Sequence, residues 1–360
     1  MRVEKILIVR LSSGGDVLQT LPALAALRRA KPSARIDFLV EDRHARYLEG
    51  RPEIDRILRW PRGRWTSLAA SGRWIRCLAE ASAFYAALSR ERYDAVLDFQ
   101  GNLKSGFHAA VPRSPRRVGF SAGSSKEGNR WFTSVKVAPR DESGPRVRKY
   151  LDLLRGVGIE APEEAPVCPP TGAREAFRRL AVAQGLEEGG FFVIHPGTSA
   201  FGAYKRWPQS RWMELSGRLA AAAPVLASWG PGEEESAQAL AGIRGVRVPP
   251  SPLGILELAG ALSHARAFAG SDSAPLHLAH ALGCPSVGLF GPTDPRLYRP
   301  FMNGIAVSAG LPCSPCKRRA CPGSRCMEAI PVERVFDAMV SLRLREAVSG
   351  GTRDCEDAGG

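Results

Sequence analysis

Three short segments combine acids, hydroxyls, cations and glycines in an order suited to chemistry on a phosphorylated substrate. The first is Leu11-Ser12-Ser13-Gly14-Gly15-Asp16. Its two glycines let the backbone turn tightly before a helix whose first turn holds Asp16. A carboxylate there is either a helix cap or, at the carboxyl end of a parallel strand, a general base for a hydroxyl group. The glycine spacing is not the Gly-x-Gly-x-x-Gly dinucleotide fingerprint, which counts against an NAD enzyme.

The second segment runs from His195-Pro-Gly-Thr198-Ser199 to Lys205-Arg206-Trp207-Pro208. Thr198 and Ser199 are able to hydrogen-bond phosphate oxygens, and Lys205 or Arg206 to neutralise a departing diphosphate. A solvated loop before a helix is the plain alternative. The third is Gly270-Ser271-Asp272-Ser273-Ala274-Pro275-Leu276-His277. Asp272 and Ser273 are N-cap types and Pro275 suits a first helical turn. Free N–H groups at that helix start, with the Ser273 hydroxyl and the His277 ring, would make an anion site.

A fourth group, Cys313, Cys316, Cys321 and Cys326, lies in a basic loop containing Pro and Gly. Its first pair has the spacing of a structural zinc knuckle, while the second lacks it. A zinc site, a redox-linked pair and a metal-free loop all stay open. Cys77, Cys168, Cys284 and Cys355 are dispersed, unlike the disulfide framework of a secreted domain.

These segments need strands and helices to hold them. Apolar runs at Lys5 to Val9, Arg35 to Val40 and Ala95 to Phe99 alternate with helical patterns at Asp16 to Ala30 and Arg73 to Glu91, which predicts βαβ units and a parallel sheet. Residues 112–145, rich in Gly, Ser, Arg and Pro, are expected to form a long mobile loop. A Pro-rich acidic stretch from Glu160 to Pro170 reads as a linker. Beyond it, strands are expected at Phe191 to His195, Val225 to Ser228, Ala267 to Gly270 and Ser286 to Phe290. The expected division is residues 1–160 and 171–330, a helix over 331–346 packing back on the first domain, and a disordered tail over 347–360.

With 360 residues the chain is long enough for two cores. Lys and Arg number 50 against 36 Asp and Glu, an excess favouring anionic partners. The cations are scattered without interleaved aromatics, which argues against nucleic acid. No apolar window reaches a membrane-spanning length, so a cytoplasmic protein with only peripheral membrane contact is expected.

Taken in order, Gly15-Asp16-Val-Leu-Gln-Thr-Leu-Pro22, Asp98-Phe-Gln-Gly-Asn-Leu-Lys104-Ser105-Gly106, Lys205-Arg-Trp-Pro208, Asp272-Ser273 with His277, Phe290-Gly-Pro-Thr-Asp-Pro295 and the Cys313 loop resemble glycosyltransferase family 9, the ADP-heptose:lipopolysaccharide heptosyltransferases. The resemblance implies a GT-B fold, α/β, with two Rossmann-like domains facing across a cleft and metal-independent inversion at the anomeric carbon. It implies Asp16 as base and Lys205 with Thr198, Ser199, Ser273 and His277 at the donor diphosphate. Asp272 would contact the sugar and Glu233 the ribose. Lys104, Arg116 and Arg117 would meet an acidic, lipid-linked saccharide acceptor of the lipopolysaccharide inner core, Kdo or heptose. No cofactor is implied beyond the ADP-heptose donor, and a monomer at the inner membrane is expected. A nucleotide-sugar epimerase of similar fold and a non-catalytic glycolipid-binding protein are the competing readings.

Overall fold

In the computed structural model the chain divides into two compact units, Met1–Ala165 and Pro166–Gly360. The structure describes residues 4–161, 166–299, 303–316, 321 and 324–349, with side chains of the last helix only as far as Leu342.

The first unit holds β1 (Lys5–Val9), β2 (Arg35–Glu41), β3 (Arg56–Trp60), β4 (Ala95–Asp98), β5 (Arg117–Phe120) and β6 (Val135–Val137). They form one parallel sheet in the order β3-β2-β1-β4-β5-β6. Ile6, Leu7, Ile8 and Val9 are all fully buried, the unbroken apolar run of a central strand covered by helices on both faces. Strand order reverses between β1 and β4, and the carboxyl ends at such a reversal frame a crevice suited to ligands.

The second unit repeats the plan with β7 (Phe192–His195), β8 (Val225–Ala227), β9 (Val246–Arg247), β10 (Ala267–Ser271), β11 (Ser286–Phe290) and β12 (Gly304–Ser308). The order β12-β11-β10-β7-β8-β9 is the same one, counted from β7. Here the reversal falls between β7 and β10, where His195 sits level with Gly270.

Four expectations need correction. The helix over residues 16–30 is two helices, Gly14–Leu18 and Leu21–Ala30, the second opening with Pro22 in its first turn. Residues 112–145 are no long loop: they supply β5 and β6, whose short apolar stretches Val118, Phe120 and Val137 are buried among polar flanks that hid them. The final helix, Val332–Ser349, packs Val332, Val335, Ala338, Met339 and Leu342 into the second unit's own core beside Trp212 and Val287. Its apolar stripe shows that it must cover something, and the second sheet is what it covers. That helix also takes in residues 347–349 of the expected tail, while 350–360 lie outside the described residues. Of the linker, residues 162–165 likewise lie outside them.

Candidate active site

In the first unit, Asp16 occupies the turn after β1. Ser13 caps the helix Gly14–Leu18, and its N–H and hydroxyl donate to Asp16 Oδ2 over 3.2 and 3.0 Å. Two guanidinium groups close on the same carboxylate: Arg10 Nη2 lies 2.9 Å from Oδ2 and Arg146 Nη1 2.7 Å from Oδ1. Arg10 is fixed in turn by donating to the Phe99 carbonyl over 2.8 Å. Burial opposes ionisation of Asp16, yet the two arginines prevail and lower its pKa to about 2. Gly14 is required by proximity, since a Cβ there would fall 2.5 Å from the Tyr47 ring. His44 borders the same turn, and burial first, then Arg43, lower its pKa to about 4.

The neighbouring turn after β4 is built on Asp98. Its buried carboxylate accepts from Gln100 N at 2.9 Å, Gly101 N at 3.1 Å, Ser105 Oγ at 2.8 Å and Asn129 Nδ2 at 2.6 Å. Burial nevertheless raises its pKa. Gln100 Oε1 accepts from Leu11 N at 2.9 Å and Ser12 N at 3.1 Å, tying the two turns together. Asn102 then caps the helix Leu103–Ala110, which carries Lys104. The Lys104 ammonium lies 5.4 Å from the centre of the Trp60 ring, and burial, then Arg62, lower its pKa.

In the second unit, Asp272 follows β10 and is almost wholly buried. Its Oδ2 is 2.7 Å from Lys205 Nζ and its Oδ1 3.1 Å from His277 Nε2. Burial opposes ionisation, but His277 and Lys205 hold the carboxyl far below the ordinary range. Ser273 caps the helix Ala274–Ala281, yet its hydroxyl is buried and makes no hydrogen bond among the described residues. His280, deeper in this helix, is driven down to about 3, chiefly by burial, and stays neutral near pH 7.

Across the strand reversal, His195 closes β7. Its Nε2 lies 2.9 Å from Glu233 Oε2 and its Nδ1 3.0 Å from Ser228 Oγ. Gly197 passes so close that a Cβ would sit 2.7 Å from Glu233 Cβ. Thr198 is buried, its hydroxyl and carbonyl accepting from Arg206 at 3.2 and 2.7 Å, whereas Ser199 is exposed at the start of the short helix Ala200–Lys205.

Thus Thr198, Ser199, Lys205, Asp272, Ser273, His277 and Glu233 gather at one edge of the second sheet, and Asp16 and Lys104 lie at the corresponding edge of the first. Arg116 and Arg117 do not join Asp16. Arg117 pairs with Val96 near the amino end of β4, opposite the edge that carries Asp98, and its guanidinium is spent on the carbonyls of Phe132 and Ser114. Asp272 and Glu233 are also differently disposed from a simple sugar or ribose contact. Both Asp272 oxygens are engaged by Lys205 and His277, and Glu233 accepts from Gly230 N at 2.8 Å as well as facing His195. Arg10 and Arg146 escaped the sequence reading, and Gln100 and His195 stood inside its motifs without a role. The legible signs were an arginine directly after an apolar strand and a cation directly after Pro145.

The cysteines Cys313, Cys316 and Cys326 are free, Cys326 buried and Cys313 exposed. Among the described residues no three His, Cys, Asp or Glu side chains gather as a metal-binding group. Nor is any described helix long and apolar enough to cross a membrane.

Two Rossmann-like sheets of one strand order, each with a carboxylate held by basic side chains at its reversal, agree with the GT-B class of fold. The model of glycosyltransferase family 9 (heptosyltransferase) matches residues 82–326. The lipopolysaccharide heptosyltransferase 1 of Escherichia coli K12 is 31% identical over 313 residues, covering 81% of this chain and 89% of that protein. Its counterpart in Pseudomonas aeruginosa PAO1 is 29% identical over 329 residues, 88% and 87% of the two chains. The E. coli heptosyltransferase WaaC solved with ADP-2-deoxy-2-fluoro heptose superposes with a TM-score of 0.74 at 26% identity, over 94% of this chain and 99% of that one. This chain belongs to glycosyltransferase family 9, the heptosyltransferases, and is an enzyme.

Proposed function

We propose that this enzyme moves a heptose from ADP-heptose to the inner core of lipopolysaccharide, onto a Kdo or heptose acceptor, by one inverting displacement without a metal. The observation carrying this reading is the array at the start of the helix Ala274–Ala281: Lys205 and His277 fixed on Asp272 beside the unbonded Ser273 hydroxyl. Lys205, His277, Ser273 and the free N–H groups of that helix receive the diphosphate as the bond between its oxygen and the anomeric carbon breaks. Asp272 acts here by holding Lys205 and His277 in place. Thr198, Ser199 and Glu233 line the same edge for the rest of the nucleotide.

In the first unit, the acceptor hydroxyl oxygen attacks the anomeric carbon while its proton passes to Asp16. A carboxyl of pKa about 2 is a weak base, but it is always ionised near neutral pH. The hydroxyl becomes acidic only as its oxygen bonds to carbon, so transfer is concerted with attack. Lys104 meets acidic groups of the acceptor. Names of the relatives support both substrates, since they are lipopolysaccharide heptosyltransferases and one was solved with an ADP-heptose analogue. We place the enzyme in the cytoplasm, as a monomer in peripheral contact with the inner membrane.

The test is to incubate purified protein with ADP-heptose and a deacylated or full inner-core acceptor in the presence of a chelator, following ADP release and acceptor mass. A gain of one heptose by wild type and none by Asp16→Ala supports the reading. No acceptor-dependent ADP release would overturn it.

A further inference from the structure

The helix Trp74–Arg90 has 17 residues, of which only Leu88 is buried. One side is anchored: Cys77 Sγ donates to the Trp65 carbonyl over 3.5 Å, and the Phe84 ring packs on Trp65 at 5.6 Å between centres. The other side faces outward and is apolar where a solvent-facing helix should be polar. Trp74, Ile75 and Leu78 are 60, 87 and 65% exposed. With about 100° between successive residues, these three share an arc of roughly 100°, and the small exposed Ala79 and Ala86 continue it.

The charge around this face has one sign. Residues 62–90 hold five arginines and one carboxylate, Glu80. Glu80 is already neutralised, bonded by Arg64 at 2.6 and 2.7 Å and by Arg76 at 3.1 Å. Arg73 stays exposed at the start of the helix, whereas Arg62 already lies 3.6 Å from Glu41. An apolar strip with a tryptophan at its head and guanidinium groups at its margins matches the boundary between lipid headgroups and acyl chains. There the indole ring sits at the interface and arginines pair with phosphates. A second copy of this chain fits the face badly, because it would set arginine against arginine.

We propose that the helix Trp74–Arg90 docks this enzyme on an anionic phospholipid surface, with Trp74, Ile75 and Leu78 entering the interface and Arg73 and Arg76 facing lipid phosphates. The purpose of such docking rests on the lipid-linked acceptor of the preceding reading, although the geometry does not. Binding flat on a membrane places the acceptor domain where a lipid-anchored sugar is presented, and it raises the local concentration of that acceptor.

The experiment sediments the full chain with vesicles of phosphatidylglycerol and phosphatidylethanolamine, or of phosphatidylcholine alone, for wild type and a triple variant carrying Trp74→Ser, Ile75→Ser and Leu78→Ser. All three sites are exposed, so the variant should melt like wild type. The expected result is binding to anionic vesicles that falls about tenfold or more in the variant and with added salt. Heptose transfer to a soluble deacylated acceptor should be unchanged and transfer to a vesicle-embedded acceptor should drop. Wild type that ignores anionic vesicles, or a variant that binds them equally, overturns the proposal. So does a wild-type dimer in light scattering that the variant converts to monomer, because a second copy would then cover the face. Failure of both proteins on the soluble acceptor would sink the activity reading instead, and the sedimentation would still decide the docking.

Discussion

The two units solve one problem in two ways. Each has a carboxylate clamped between two basic side chains at the reversal of an identically ordered sheet, but Asp16 retains 19% side-chain exposure and Asp272 only 4%. The partners differ too. Asp16 lies between arginines, which are permanently charged, and Asp272 lies between a lysine and a histidine. An accessible carboxylate is able to meet a hydroxyl, whereas a sequestered one serves by orienting the basic groups around it. Similar electrostatics in the two units therefore support different work, and exposure separates them.

Substitutions should break this parallel unequally. The largest loss is expected for Asp16→Ala, with turnover falling about a thousandfold or more while ADP affinity, read by calorimetry, stays near wild type. Weakened ADP binding in that variant would mean that Asp16 belongs to the donor site. Lys205→Ala is expected to cost about a hundredfold in turnover and also to weaken ADP binding, because it removes charge from the leaving group. If only the Michaelis constant for acceptor changed, the two units would have to exchange roles.

Arg146→Ala sharpens the comparison through pH. Removing one of two cations lets burial raise the pKa of Asp16 from about 2 toward the ordinary carboxylate value, so the acid limb of the rate profile should move upward by about one unit. The linked stability has a definite sign. With the folded pKa depressed, the Asp16 ion pairs contribute fully above the unfolded pKa of about 4 and are lost as pH falls toward 2. The variant should show less of that acid-dependent stability, and an unshifted limb would exclude Arg146 as the source of the depression. Gly197→Ala tests packing in the second unit, where overfilling against Glu233 should cost about 1–3 kcal/mol, measured by denaturant melting. Arg117→Ala should have the smallest effect, about twofold or less on turnover, since its guanidinium serves local carbonyls far from Asp16.

Much of the fold was legible because central parallel strands are continuous apolar runs, as Ile6 to Val9 and Phe192 to Ile194 show. Turn residues after those runs marked Asp16, Thr198 and Asp272. The last two strands of the first sheet were not legible, since β5 and β6 are only four and three residues long and are set among polar, Gly- and Pro-rich chain that looks like loop. Nor was the partnership of Asp16 with Arg146, which stand 130 residues apart and meet only once the sheet has formed. Arg116 and Arg117 misled because a cluster of cations in sequence carries no record of which end of a strand it occupies. The last helix shows the same gap, since its stripe revealed an apolar face without revealing which sheet that face would cover.

The Gln100 side chain that accepts from both Leu11 and Ser12 makes the two turns of the first sheet a single stiff part. Those amides belong to a loop and should nonetheless exchange with solvent as slowly as the strands behind them. One residue added inside that joint would throw the base out of alignment.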